Sequence, residues 1–325
     1  MSALVEVQGL VKHFPVSRRL GQVLRGEHPA VKAVDGVSFA IGRGENVGIL
    51  GESGCGKTTL GRLLLRLITP TAGEIRFDGQ PLAERSGDAL LSFRRRAQLV
   101  FQNPFDALNP RFTMATSLAE PLRNTRVPAK EHQDRIRTAM RRVHLPDVET
   151  YADKYPHQLS GGQLQRVVLA RALVVEPEFI VADEPVSMLD VSVRAGILNV
   201  MKEIGEQMGL AAAYISHDLA LVRYVCERTL TMYCGVVVED GPTEEVVHRP
   251  QHPYTQALVK AVPVPHVHQS REPLPIKGGV PDARNPLSGC RFRDRCPYAF
   301  QRCAEEVPPL REIGSGHRAA CHLLD

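Results

Sequence analysis

A glycine-rich run that contains one lysine is the pattern in this chain that most directly predicts chemistry. The run reads Gly51-Glu52-Ser53-Gly54-Cys55-Gly56-Lys57-Thr58-Thr59. Glycines at this spacing allow successive backbone N–H groups to turn towards one anion, and a following helix adds the positive end of its dipole. Lys57 would reach the β- and γ-phosphates of a nucleotide, and the Thr58 hydroxyl would ligate Mg²⁺. The run therefore predicts a phosphate-binding loop.

Two adjacent carboxylates, Asp183 and Glu184, end the apolar run 179–182. Carboxylates at the end of a buried strand cost free energy unless a cation lies nearby. We expect Asp183 to hold Mg²⁺ and Glu184 to orient or deprotonate the water that attacks the γ-phosphate. Taken alone, such a pair could simply mark where a strand leaves the core. Its position downstream of a phosphate loop favours the catalytic interpretation.

A third pattern, Ser160-Gly161-Gly162-Gln163, precedes an apolar helical face that includes Leu164, Val167, Val168 and Leu173. The first N–H groups of a helix have no partner within the helix and carry partial positive charge. This helix start is therefore suited to a phosphate that arrives from outside. Without the other patterns it would be read only as the beginning of a helix.

The elements that must position these residues follow from the apolar patterning. Short apolar runs of strand length occur at residues 4–10, 34–41, 46–50, 179–182 and 210–216. The later runs lack polar alternation, which is typical of parallel strands buried on both faces. The glycine loop lies between run 46–50 and a helix pattern at Leu60, Leu63, Leu64 and Leu67, and the order strand, loop, helix predicts an α/β fold. Residues 86–176 are mainly helical in pattern, and one face of this pattern carries Ile136, Met140, Val143 and His144. A hairpin is predicted from the runs 229–233 and 236–239. Residues 16–29 show little apolar pattern and are predicted to form a surface loop.

Composition excludes several classes of protein. The 325 residues carry a formal net charge of +4, and no run of about eighteen apolar residues is present that could cross a membrane. The first residues do not combine a basic segment with an apolar run, so no signal peptide is indicated. The arginine clusters at 94–96 and 135–142 are read as solvated helix faces. We therefore expect a globular protein that stays in the cytosol.

The last quarter of the chain differs in composition. Residues 250–325 contain 11 of the 24 prolines, which prevents long helices and central strands and predicts a separate, irregular module. Four cysteines lie there: Cys290, Cys296, Cys303 and Cys321. Their spacing lacks the close pairs of zinc fingers, so free thiols, zinc and an iron–sulfur cluster all remain open.

Together these patterns resemble the ATPase subunits of ABC transporters. Leu159 to Gln163 resemble the family signature, and smaller elements follow the family order: Phe14 resembles the aromatic that stacks on adenine, Gln102 the Q-loop glutamine that senses Mg²⁺, Ser187-Met188-Leu189-Asp190 the D-loop, and His217 the switch histidine. Met188 departs from the more usual alanine, so we expect the D-loop contact across a dimer to be slightly altered there. The resemblance implies a P-loop NTPase head at 1–249 with a parallel core sheet, an antiparallel β subdomain and a helical subdomain at about 88–176. It also implies that Lys57, Gln102, Glu184 and His217 are catalytic, and that the signature serves the ATP of a facing subunit.

The tail narrows the resemblance. His252-Pro253-Tyr254-Thr255-Gln256-Ala257-Leu258, followed by the cysteines, resembles the C-terminal extension of dipeptide and oligopeptide importer ATPases, and segments 33–39 and 102–110 look like the same branch. This implies an extension at 250–325 and favours a [4Fe–4S] cluster at the four cysteines, with zinc as the alternative.

The same resemblance implies partners and a location. The partners would be a related ATPase in a heterodimer, two transmembrane permeases and an extracytoplasmic peptide-binding protein, with no nucleic acid. The chain would lie on the cytoplasmic face of the inner membrane and touch it only through the permeases. Glutathione or nickel are alternative cargoes; a soluble non-transport ABC ATPase and a non-catalytic regulatory subunit are more distant alternatives.

Overall fold

The computed structural model describes residues 3–16, 29–145, 147–262, 276–279, 287–314 and 316–325. Apart from its two end residues, the surface loop predicted at 16–29 lies outside the described residues. The strands are β1 (Ala3–Pro15), β2 (Ala30–Gly42), β3 (Asn46–Leu50), β4 (Ala72–Phe77), β5 (Gln80–Pro81), β6 (Ala97–Val100), β7 (Phe179–Asp183), β8 (Ala211–Ser216), β9 (Arg228–Tyr233), β10 (Val236–Pro242), β11 (Arg311–Gly314) and β12 (His317–Ala319).

The α-helices alternate with these strands over much of the chain. They are α1 (Lys57–Leu64), α2 (Gly87–Arg96), α3 (Pro104–Ala107), α4 (Met114–Asn124), α5 (His132–Arg142), α6 (Val148–Ala152), α7 (Gly161–Leu173), α8 (Val191–Met208), α9 (Leu219–Val225), α10 (Thr243–His248), α11 (Pro253–Ala261) and α12 (Gln301–Glu305). The chain divides into two compact units, and we describe each by itself.

The first unit comprises Met1–Leu4, Ile41–Asn46 and Gln80–Tyr214. Strands β6 and β7 pair in parallel, from Ala97 opposite Phe179 to Val100 opposite Ala182. The first four residues of β7 are buried, which agrees with the unbroken apolar run in the sequence. Helices α4, α5 and α7 pack together, and the predicted apolar face of α7 is buried throughout. Strand β6, which lies inside the region of mainly helical pattern, was not predicted because it is only four residues long.

One helix prediction in this unit needs correction. Met140 and Val143 are buried as expected, but His144 is exposed. The helix ends at Arg142, and His144 takes a left-handed backbone with φ of 57°. Its ring therefore leaves the apolar face and lies 3.0 Å from the carboxylate of Glu203, while Leu145 fills the core in its place.

The second unit comprises Val5–Ala40, Val47–Gly79 and Ile215–Asp325. One of its sheets has the strand order β2–β1–β4, in which β1 and β4 are antiparallel. The other has the order β11–β12–β10–β9–β3, with β3 and β9 parallel and the remaining described pairs antiparallel. The parallel pair, with α1 following β3, confirms the predicted α/β arrangement with its antiparallel portion. The predicted hairpin is present as β9 and β10, which turn through Cys234 and Gly235 with φ of 44° and 84°.

The proline-rich tail is more regular than its composition predicts. Helix α11 spans nine residues, and β12 pairs with β10 from Glu239 opposite Ala319. The prolines are compatible with this because Pro253 occupies the first turn of α11, where a missing N–H costs nothing. The tail therefore adds edge strands to the sheet of the second unit.

Candidate nucleotide-binding site

Two glycines of the loop in the second unit lie so close to neighbouring backbone that a side chain would overlap with it. Gly56 has φ of 106°, and a Cβ placed on it would lie 1.9 Å from the carbonyl oxygen of Ala33. A Cβ on Gly51 would lie 2.4 Å from the carbonyl oxygen of Met232. Close approach of neighbouring backbone therefore requires glycine at both positions. Helix α1 begins at Lys57, immediately after the loop, as a phosphate-binding loop requires.

Lys57 is a buried cation whose partners are neutral. Only 7% of the residue is exposed to solvent. The ammonium donates to the carbonyl oxygens of Gly51 at 2.7 Å and Glu52 at 3.0 Å, and lies 3.9 Å from the sulfur of Cys55. Burial raises the pKa of the Cys55 thiol, whereas the nearby Lys57 lowers it. Within the described part of the chain, the hydrogen-bond acceptors of this buried ammonium are neutral, and such a group suits an anionic ligand such as a polyphosphate.

Most of the other predicted residues of this unit are exposed. Phe14 is 39% exposed near the end of β1, and the ammonium of Lys12 lies 5.1 Å from its ring centroid. Thr58 is exposed and Thr59 half-buried in the first turn of α1. His217 is exposed directly after β8, where Asp218 begins α9 by accepting from the N–H of Ala220 at 2.9 Å. An exposed ring, hydroxyl and imidazole are compatible with the roles predicted for them.

Asp183 and Glu184 stand at the carboxyl end of β7 in the first unit. Both are half-buried, directly after four buried residues of the strand. Glu184 has φ of 50°, which places a non-glycine residue in the left-handed region. Its carbonyl oxygen accepts from the N–H of Ser187 at 3.2 Å and from the Ser187 hydroxyl at 3.0 Å. The tight turn therefore fixes the direction in which the backbone leaves the strand.

The signature segment forms a capped helix start. The Ser160 hydroxyl accepts from the Gln163 N–H at 3.3 Å, and the Gln163 side chain accepts from the Ser160 N–H at 3.0 Å. This reciprocal capping fixes the first turn of α7, on which Ser160 and Gly161 are exposed. A Cβ on Gly162 would lie 2.7 Å from a methyl carbon of Val193 in α8, so the glycine permits close packing of the two helices. An exposed, capped helix start is compatible with the contact predicted for this segment.

The predicted Q-loop and D-loop also lie in the first unit. Gln102 is exposed between β6 and α3, and Asn103 caps α3 by accepting from the Phe105 N–H at 3.1 Å. In the D-loop Met188 is 64% exposed, and Arg194 donates to the carbonyl oxygens of Leu189 at 2.8 Å and Ser187 at 3.2 Å. The larger side chain at 188 therefore points outward without disturbing the turn.

The four C-terminal cysteines interact with one another electrostatically. All four are free thiols, with Cys296 and Cys303 buried, and the N–H of Cys290 donates to the carbonyl of Cys303 at 2.8 Å. Burial, together with the other three thiols, raises the pKa of Cys290 to about 11. Burial and the neighbouring thiols also raise the pKa values of Cys296 and Cys321. Among the described residues, however, no three His, Cys, Asp or Glu side chains form a group that could hold a metal ion.

Sequence reasoning missed two residues that contact the glycine loop. The Tyr254 hydroxyl accepts from the backbone N–H of Glu52 at 2.8 Å. The guanidinium of Arg295 donates to both carboxylate oxygens of Glu52, at 2.7 and 2.9 Å. Tyr254 lies in a segment that the sequence marked only by resemblance, and nothing distinguished Arg295 from the other basic residues.

Comparison with known families identifies both parts of the chain. A family described as "ABC transporter" matches residues 34–187, and one described as "Oligopeptide/dipeptide transporter, C-terminal region" matches residues 238–303. The chain is 46% identical to a putative peptide import ATP-binding protein of Brucella ovis, over 98% of this chain and 97% of that relative. It is 44% identical to the oligopeptide transport ATP-binding protein AppF of Bacillus subtilis, over 98% and 97% of the two chains. It is 42% identical to the dipeptide transport ATP-binding protein DppF of Haemophilus influenzae, over 99% and 97%.

Solved structures give the same answer for the fold. The dimeric structure of MJ0796, a bacterial ABC transporter cassette, is 28% identical with a TM-score of 0.63, covering 74% of this chain and 98% of that one. The structure of cbiO1 from Clostridium perfringens, part of the transporter complex cbiONQ, is 27% identical with a TM-score of 0.64, covering 77% and 92%. The chain therefore belongs to the ATP-hydrolysing, ATP-binding subunits of ABC transporters, in the branch that carries the oligopeptide/dipeptide transporter C-terminal region.

Proposed function

We propose that this chain couples ATP hydrolysis to the import of dipeptides or oligopeptides across the cytoplasmic membrane. The observation that carries the proposal is the C-terminal region at residues 238–303, whose family is defined by oligopeptide and dipeptide transporters. The names of relatives that match the chain end to end support the same cargo class. We propose residues 1–249 as the ATPase domain, with its helical subdomain at about 88–176, and 250–325 as the extension.

In the proposed hydrolytic site, Lys57 and the N–H groups of the loop bind the phosphates of ATP, and the ring of Phe14 stacks on adenine. Thr58, Asp183 and Gln102 would supply oxygen ligands of the kind that Mg²⁺ prefers, and a bound ion would offset negative charge on the phosphates. Glu184 orients the attacking water and accepts its proton as the new oxygen–phosphorus bond forms and the bond to ADP breaks. His217 contacts the γ-phosphate.

The signature residues Ser160, Gly161, Gly162 and Gln163 are proposed to complete the ATP site of a related subunit in a heterodimer. Their exposed, capped helix start supports a contact with phosphate from outside. Closure of the two ATPase subunits on ATP would convert two transmembrane permeases to their outward-facing state, and hydrolysis with phosphate release would return them to the starting state. An extracytoplasmic peptide-binding protein would deliver the cargo.

The proposed location is peripheral, on the cytoplasmic face of the inner membrane. None of the helices in the described ranges combines the length with the apolar character needed to cross a bilayer. Contact with the membrane is therefore assigned to the permeases.

Uptake in cells tests the cargo. Disruption of the gene in its source organism should abolish uptake of a labelled dipeptide or a longer peptide, and the wild-type gene should restore it. A Glu184→Gln gene, expressed at the same level, should not. Normal peptide uptake in the disrupted strain, with loss of glutathione or nickel uptake, would contradict the peptide assignment and leave the ATPase engine in place.

We also propose that Cys290, Cys296, Cys303 and Cys321 hold a [4Fe–4S] cluster. The chemistry of the donors supports this proposal, because thiolates are the ligands of such clusters and neighbouring thiols of the set raise the pKa values of Cys290, Cys296 and Cys321 electrostatically. The family resemblance of the tail favours the cluster, with zinc as the alternative. A bound cluster would stabilise an extension that has little apolar core of its own.

Anaerobic purification decides between these ligands. The protein should be brown and contain iron and acid-labile sulfide, and replacement of Cys303 by Ser should remove both. Replacement of Cys226, a buried thiol outside the group, serves as the control and should leave the iron content unchanged. A colourless preparation with zinc, or with no metal, would contradict the cluster.

A further inference from the structure

Glu52, the second residue of the glycine loop, has each of its polar groups held by a specific partner. Its backbone N–H donates to the Tyr254 hydroxyl at 2.8 Å. Its carbonyl accepts from the Lys57 ammonium at 3.0 Å. Its carboxylate accepts two hydrogen bonds from Arg295, at 2.7 and 2.9 Å. The carbonyl also accepts from the Cys55 N–H at 3.3 Å, within the loop. Tyr254 and Arg295 belong to the C-terminal extension, so the extension directly contacts the loop proposed to bind phosphate.

The two residues of the extension are themselves rigidly supported. The Arg295 side chain is only 7% exposed, and its guanidinium lies 5.8 Å from the ring centroid of Tyr233 and 5.9 Å from that of Phe292. Tyr254 is 1% exposed, with its ring centroid 4.7 Å from that of Tyr233 and 5.5 Å from that of Phe292. Packing between aromatic rings orients the planar fork of Arg295 before any ligand arrives, so little side-chain entropy is lost in holding Glu52.

Charge gives this contact a consequence for ligand binding. A carboxylate within a phosphate-binding loop repels an incoming polyphosphate. Glu52 lies close to the proposed phosphate site, because its backbone carbonyl accepts a hydrogen bond from Lys57. The bidentate pair with Arg295, at 2.7 and 2.9 Å, compensates the charge of that carboxylate and holds it in one position. The bond from Tyr254 fixes the planar Gly51–Glu52 peptide from its N–H side, and the carbonyl of that peptide, on Gly51, accepts from Lys57 at 2.7 Å.

We propose that Arg295 and Tyr254 are positioning residues for the phosphate-binding loop, and that through Glu52 they set the affinity of the chain for the polyphosphate of ATP. The inference rests on the proposed role of residues 51–59 in ATP binding. It assigns the C-terminal extension a direct part in nucleotide binding, separate from whatever its cysteines hold.

Titration of the purified full chain with Mg·ATP tests this assignment, with binding detected by displacement of a fluorescent nucleotide analogue. Arg295→Ala should raise the dissociation constant on the order of tenfold, because the Glu52 carboxylate is left uncompensated. The double variant Glu52→Gln/Arg295→Ala should recover most of the lost affinity, since the repelling charge is gone. Tyr254→Phe keeps the ring packing but loses the acceptor, and should weaken binding severalfold. The matched control is Arg311→Ala, because Arg311 is an exposed arginine of the same extension that pairs with Asp325. This variant should bind ATP as the wild type does.

The outcomes separate this inference from the proposed function. If Lys57→Ala binds ATP as well as the wild type, the role of the loop itself is wrong. If Lys57→Ala loses binding while Arg295→Ala keeps wild-type affinity, the positioning role is overturned and the loop assignment stands. Equal weakening in the double variant and in Arg295→Ala would also overturn it, because the arginine would then act only in folding. Should Arg295→Ala fail to fold, wild-type affinity in a folded Tyr254→Phe variant would overturn the proposal.

Discussion

At the scale of single residues, Glu184 shows how the fold fixes a side chain proposed for catalysis. Its left-handed backbone, with φ of 50°, costs a non-glycine residue about 1–3 kcal/mol. The cost is offset by a tight turn, in which its carbonyl oxygen accepts two hydrogen bonds from Ser187. Strain of this kind at the end of a buried strand is consistent with a side chain whose direction matters for function.

The glycines of the loop allow a residue-scale prediction. Gly54 and Gly56 both have positive φ, 81° and 106°, but a Cβ on Gly54 meets nothing within 4 Å, whereas one on Gly56 overlaps the carbonyl oxygen of Ala33. Gly54→Ala should therefore lower the free energy of unfolding by only about 1–2 kcal/mol, the cost of the left-handed conformation. Gly56→Ala should lower it by about 3 kcal/mol or more, because steric overlap is added.

Urea unfolding of the two variants, compared with the wild type, measures this difference. Equal destabilisation would show that the approach of Ala33 does not constrain the loop. The measurement is made without ATP, because nucleotide bound to the folded chain would itself raise the stability of either variant.

At the scale of elements, helix α11 begins with a buried histidine. The His252 ring nitrogen Nδ1 accepts from the Tyr254 N–H at 3.0 Å, and its backbone N–H donates to Glu239 at 3.0 Å. Burial lowers the pKa of His252 from its usual 6.5 to about 4, and the Glu239 carboxylate opposes this only in part. The ring is therefore neutral in the folded chain, as an Nδ1 acceptor must be.

This depressed pKa predicts a pH dependence of stability. Because the unfolded chain binds the proton more readily, the stabilisation is complete above pH 6.5 and is lost as the pH falls from 6.5 towards 4. The loss should reach about 3 kcal/mol near pH 4. Urea unfolding at successive pH values should give a shallower slope for His252→Asn, which keeps a capping acceptor but does not titrate.

The control for this experiment is His248→Asn, because His248 is an exposed residue at the end of α10. Its slope should match the wild type. If His252→Asn shows the same pH dependence as the wild type between pH 6.5 and 4, the histidine is protonated in the folded chain and the interpretation is wrong.

At the scale of the whole molecule, the parts that could be predicted from sequence are those coded by short, local patterns. The glycine loop, the carboxylates after β7 and the capped start of α7 each lie within a few consecutive residues. The same is true of the β9–β10 hairpin, whose turn was marked by Cys234 and Gly235. Family order along the chain then supplied functional interpretations that local physics alone left open.

The parts that could not be predicted depend on contacts between distant residues. Arg295 and Glu52 are 243 positions apart, and Tyr254 and Glu52 are 202 apart. No periodicity in the sequence indicates such a pair, and Arg295 stands among 40 basic residues of the chain. The exposed position of His144 was missed for a different reason, because the helix ends at Arg142, two residues earlier than expected, and this changes the face on which the side chain lies.

The most direct test of the account is the ATPase activity of Glu184→Gln, measured alongside the wild type in the assembled transporter. The variant should bind Mg·ATP with unchanged affinity and hydrolyse it at least about 100-fold more slowly, since it can no longer accept the proton of the attacking water. Glu203→Gln, an exposed carboxylate on α8 that pairs with His144, controls for the loss of charge and should hydrolyse normally. Wild-type turnover in Glu184→Gln would contradict the account.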